Sequence, residues 1–117
     1  MTDVNSTIAI MLQFDWGTGP FWVSVDGEIP YDCCPDEINE VVPLSDELID
    51  AVAEWDERMQ RTYNDDVPQD SGIQDPEEEA RWKDEGRELA RRLKAEVGAD
   101  VRVEYAPLGG AVEIIEG

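Results

Sequence analysis

Apolar residues recur along this chain in two rhythms, one with a period of two and one with the helical period. Ile8–Phe14 and Phe21–Val25 are short apolar runs separated by Asp15-Trp16-Gly17-Thr18-Gly19-Pro20, a segment dense in turn formers. They predict a β-hairpin with a loop of about five or six residues. In the second run Phe21, Val23 and Val25 alternate with Trp22 and Ser24, so one face is apolar and the other carries a tryptophan. Asp26-Gly27 is a tight-turn signal, and Glu28–Tyr31 is the next candidate strand. Residues 32–43 read as loop or a short helical turn.

The helical rhythm begins after Ser45, which is placed as an N-cap with Asp46 and Glu47 in the first turn. Leu48, Ile49, Val52, Trp55 and Met59 share one face of a helix expected over about 46–62. Asn64–Asp75 carries Pro, Gly, Ser and Asn and is a loop. A second helix starts at Asp75, with Pro76 at N1 and Glu78 at N3 as in a capping box. Glu77–Arg81, Glu79–Lys83 and Glu88–Arg92 are i,i+4 pairs on it. Trp82, Leu89, Leu93 and Val97 form its apolar stripe with Gly86 and Ala90, and Gly98 stops it. Val101, Val103 and Tyr105 then alternate with Arg102 and Glu104 as a strand, and Ala111–Ile115 closes a C-terminal hairpin. The order predicts an α+β fold: an antiparallel sheet of four to five strands with two helices packed on one face, in a single domain over residues 1–117.

Charge changes this picture more than any motif does. The chain holds 29 Asp and Glu against nine Lys and Arg, with no histidine. Residues 1–79 contain 21 acids and two bases, Arg58 and Arg61, a net of −19; residues 80–117 contain eight acids and seven bases. Such a balance points away from nucleic acid, anionic lipid and phosphate-rich ligands, and toward a basic protein partner or simple solubility. Absence of histidine removes the commonest general base and the commonest metal ligand. Ser-His and Cys-His catalysis are therefore excluded, and no two of the many carboxylates stand out as a glycosidase pair. Gly17-Thr18-Gly19-Pro20 lacks the lysine and helix start of a phosphate loop. The best calcium window, starting at Asp66, has Pro68 third and Ser71 sixth, where an EF-hand needs an oxygen ligand and glycine. The adjacent Cys33-Cys34 pair is expected to be reduced. No enzyme, cofactor or metal role is expected, nor a membrane span, and the start of the chain lacks the features of a secretory signal. A cytoplasmic location follows.

What remains is aromatic residues beside acids. The candidate partner-binding face is Trp16, Trp22, Tyr63, Asp65, Asp66 and Asp70, with Glu54 and Glu57 on the neighbouring helix: anchors flanked by steering charges. The stretches LSDELIDAVAEWDERMQRTYNDD and GRELARRLKAEVGADVRVEY, with the size, charge and α+β order of the whole chain, resemble small acidic immunity-type proteins of bacterial toxin systems. That resemblance implies an inhibitor whose acidic face covers a cationic site on a cognate toxin. A nucleic-acid-mimicking inhibitor and a small carboxylate-based metal-binding module are the alternatives.

Overall fold

Both rhythms become one layer of sheet and one of helix in a computed structural model, which describes residues 7–63, 66–67, 71–107 and 110–116. The strands are β1 (Ile8–Gln13), β2 (Phe21–Val25), β3 (Tyr31–Cys33), β4 (Val101–Ala106) and β5 (Glu113–Ile115), and they form one sheet in the order β3-β2-β1-β4-β5. Asp26 and Gly27 turn β2 back with φ of 56° and 79°, the left-handed pair that matches the twist of a hairpin. The third strand lies slightly later than its sequence signal, at Tyr31–Cys33. Three of the pairings are antiparallel; β1 and β4 pair in parallel, with Ile10 opposite Val103 and Leu12 opposite Tyr105.

Two helices supply the second layer: α1 (Asp46–Gln60) and α2 (Pro76–Val97). Both start where the caps predict. The Ser45 side chain accepts the Leu48 N–H and the Asp75 side chain accepts the Glu77 N–H, which satisfies donors that a helix start leaves open. Leu48, Val52, Trp55 and Met59 from α1 and Trp82, Leu89, Ala90 and Leu93 from α2 are buried in one core with Ile10, Leu12, Phe21, Val23, Val103 and Tyr105. Each large side chain removed from water in this way contributes about 1.5–3 kcal/mol. Trp55 and Trp82 are 1% and 2% exposed. Their rings stack at 4.4 Å, and each indole N–H donates to the other residue's backbone carbonyl at 2.9 Å. Close approach of the helices depends on Gly86, whose missing side chain leaves room for the Trp55 ring and the Tyr105 hydroxyl.

The helices run antiparallel to one another. Glu96, near the end of α2, accepts the Ser45 N–H at 2.7 Å and the Ser45 hydroxyl at 2.6 Å, which pins the start of α1 beside it. At the other end, Gln60 reaches the β1–β2 loop. Residues 34–44, including a 3-10 turn at Ile38–Glu40, therefore carry the chain back along the domain before α1 begins. The helix hairpin returns it to the end at which β1 starts, so β4 runs alongside β1 in the same direction.

Candidate functional site

The outward face of α1 is strongly acidic, with Arg58 within the field of Glu54 and exposed Arg61 at its C-terminal end. Glu47, Asp50, Glu54 and Glu57 are all exposed, and their spacing puts them on one stripe of the helix about 15 Å long. No described residue forms a salt bridge with any of the four. Several of the chain's bases are engaged with other acids. Arg87 grips Glu113 through two nitrogens at 2.8 Å and Asp84 at 2.9 Å. Arg58 pairs with Glu85, Lys83 with Glu79, Arg91 with Glu88 and Arg102 with Glu104. Of the pairs expected on α2, Glu79–Lys83 forms, and Glu88 pairs with Arg91 one residue before the expected partner.

At the C-terminal end of α1 the acidic stripe meets a corner of aromatic rings. Trp16, in the β1–β2 loop, lies 5.5 Å from Tyr63 just past α1, and stacks edge-on against Phe14 at 4.9 Å. Phe14 in turn meets Trp82 at 5.6 Å, so the surface rings rest on the core pair. Trp16 is 37% and Tyr63 46% exposed. They wall a groove of about 420 Å³ that Gly17 and Gln60 complete. Gln60 fixes the loop to the helix: its Oε1 accepts the Gly17 N–H at 3.1 Å, and its Nε2 donates to the Asp15 carbonyl at 2.9 Å and to Asp56 Oδ1 at 3.4 Å. Asp56 is half-buried. Burial pushes its carboxyl up to about 6, the Gln60 hydrogen bond offsets part of that, and Glu57 adds to it.

The residues expected at the binding face are therefore not all in one place. Trp16 and Tyr63 are in contact, with Glu54 and Glu57 on the adjacent helix. Asp66 is exposed. Trp22 does not join them. Strand alternation sends it to the sheet face away from the helices, opposite Phe21 and Val23, where it pairs across strands with Met11 and Asp32 and donates its N–H to the Gln13 carbonyl. Asp65 and Asp70 lie outside the described residues. Gln60 and Asp56 were not among the expected site residues. Their i,i+4 spacing on the flank of α1 is visible in sequence, but the approach of the Trp16 loop to that flank is a tertiary contact.

Chemistry beyond binding finds little support in the arrangement. Burial and nearby Glu37 push the Cys33 thiol up to about 11, and the same causes raise Cys34, so both stay protonated and poorly nucleophilic at neutral pH. Among the described residues no cluster of three Cys, Asp or Glu stands close enough to hold a metal ion. No described helix is long and apolar enough to cross a membrane.

Comparison with known proteins gives the site a context. No curated protein matches the chain. A family model described as Serratia CdiI immunity protein-like matches residues 8–108, which span every helix and strand except β5. With its two-layer α+β fold and its unpaired acidic helix face, the chain belongs to the Serratia CdiI immunity protein-like family, an immunity-type family of bacterial toxin systems.

Proposed function

We propose that this chain is a non-enzymatic inhibitor that covers a cationic site on a cognate toxin, presenting the outward face of α1 and the Trp16–Tyr63 corner. Family membership supports the inhibitor role. The observation that carries the choice of face is the junction of an unpaired acidic stripe with two part-exposed rings braced on the core. Exposed charge accelerates encounter, and desolvated aromatic anchors hold the complex. Trp22, on the other sheet face, takes no part in this contact.

A protein site fits the stripe better than a nucleic-acid-binding groove. Four carboxylates over about 15 Å of helix give one charge per roughly 4–5 Å, whereas a duplex carries one per about 1.7 Å of its axis. The test is a titration of the purified toxin domain with the chain, read as toxin activity. Inhibition that becomes complete near equal concentrations is expected. Its strength should fall when Glu54 and Glu57 are both changed to Gln, and should be unchanged in Trp22→Ala. Full activity of the toxin in excess chain would refute the inhibitor role. Loss of inhibition in Trp22→Ala alone would move the face to the sheet.

A further inference from the structure

We propose that the groove between Trp16 and Tyr63 receives a single basic side chain of the partner, a guanidinium or ammonium group that contacts the two rings and lies within the field of Asp15 and Asp56. The inference rests on the inhibitor reading above and names the chemistry that one part of that face recognises.

Several independent features favour a cation in this groove. Both walls are aromatic side chains, and a cation within about 6 Å of an aromatic centroid is attracted by the ring quadrupole. The rings are tilted by 60° with centroids 5.5 Å apart, and both keep part of their surface in solvent. The walls are held. Trp16 rests on Phe14, its backbone N–H donates to Asp15 Oδ1 at 2.8 Å, and Gln60 pins the loop through Gly17 and the Asp15 carbonyl. Little ordering is left to do on binding, which favours affinity.

Among the described residues, acids flank the groove through Gln60, which touches Asp15 and Asp56. Asp15 comes from the β1–β2 loop, and Asp56 and Glu57 come from α1. Asp56 is half-buried, its hydrogen-bond partner is the neutral Gln60, and the acid Glu57 raises its carboxyl further. A carboxylate taken partly out of water and left without a cation costs stability, and a partner's cation would relieve that cost. The bases at this end of α1, Arg58 and Arg61, belong instead to the separate groove that Arg81 and Trp82 also line. A guanidinium suits the site better than an ammonium, because its flat face stacks on rings and is more weakly hydrated.

The probe is acetyl-arginine amide, titrated into the full chain and followed by two-dimensional NMR, with acetyl-citrulline amide as the uncharged analogue. Arginine should give saturating shifts at Trp16, Gly17 and the Gln60 side-chain amide, with dissociation in about the millimolar range. Citrulline should give none. Tyr63→Ser, which leaves Trp16 on Phe14, and Asp56→Asn should each weaken arginine binding by up to about tenfold, with the dispersion of the same spectra confirming folding. Binding should also weaken as pH falls through about 6, where Asp56 gains its proton. Equal shifts from citrulline, shifts confined to the acidic stripe, or unchanged binding in Tyr63→Ser would overturn the proposal. A toxin titration with Tyr63→Ser separates the two levels. If the variant inhibits as well as the native chain, the groove is not the contact and the inhibitor role stands. If the native chain itself fails to inhibit, that role falls whatever arginine does.

Discussion

Gly86 and Asp56 show how single positions divide between packing and function. A Cβ at Gly86 would stand 2.7 Å from both a carbon of the Trp55 ring and the Tyr105 hydroxyl. Gly86→Ala should therefore destabilise the chain by about 1–3 kcal/mol through overpacking, although the exchange gains helix propensity of about 1 kcal/mol. Urea unfolding would measure it; a variant as stable as the native chain would show that the Trp55–Trp82 pair can shift. Asp56 works in the other direction. Its carboxyl rises from 3.8 to about 6 on folding, so between those values the folded state keeps a proton that the unfolded chain has released. Stability is then higher below the window and falls as pH rises through it. Asp56→Asn should raise the midpoint of urea unfolding at pH 7, with the difference fading toward pH 4; no difference at pH 7 would contradict the cost assigned to this carboxylate. Stability gained there at the expense of cation binding is a known trade between stability and function. The burial of Trp55 and Trp82 was legible from helical spacing. Their reciprocal hydrogen bonds and the need for glycine at 86 were not, because both depend on where a second helix lies.

Helices were the most legible elements, since their caps are local chemistry: Ser45 and Asp75 mark both starts, and α2 ends at Gly98 with φ of 79°. Strand direction was less so. A sheet expected to be antiparallel contains one parallel pairing, β1 with β4, because residues 34–44 return the chain before α1 begins, a path that hydrophobic periodicity does not encode. The Ser45–Glu96 contact stabilises that path. Glu96 takes both the N–H and the hydroxyl of Ser45, while Ser45 Oγ accepts the Leu48 N–H at 3.2 Å. Ser45→Ala should cost about 1 kcal/mol as a lost cap, and Glu96→Ala a similar amount. The double variant should cost clearly less than the two together, since they share one network. Strict additivity in thermal or urea unfolding would show that the cap and the inter-helix contact act separately. At the far edge, Arg87 joins α2 to β5 through Glu113 and holds that carboxyl below its ordinary range; the sequence offered no pointer to a pair 26 residues apart.

Taken whole, the molecule separates its charges. Lys83, Arg87 and Arg91 on α2 and Arg102 on β4 pair with neighbouring acids, while Glu47, Asp50, Glu54 and Glu57 of α1 face solvent with no salt bridge to a described residue. The asymmetry between residues 1–79 and 80–117 was legible by counting charges; the approach of Trp16 and Tyr63 to one end of α1 required the fold. Trp22 could not be separated from the expected face in sequence for the same reason: it leaves β2 on the sheet face away from the helices, which only the packing of the two layers decides. The claim that this acidic and aromatic corner covers a cationic toxin site is tested most directly by the kinetics of complex formation with the toxin domain over a range of salt. Association should slow as ionic strength rises, and Glu54→Gln with Glu57→Gln should slow it at low salt while leaving dissociation nearly unchanged. Trp16→Ala or Tyr63→Ala should do the reverse, speeding dissociation. An association rate independent of salt, or native kinetics in a variant that lacks both these charges and both rings, would contradict it.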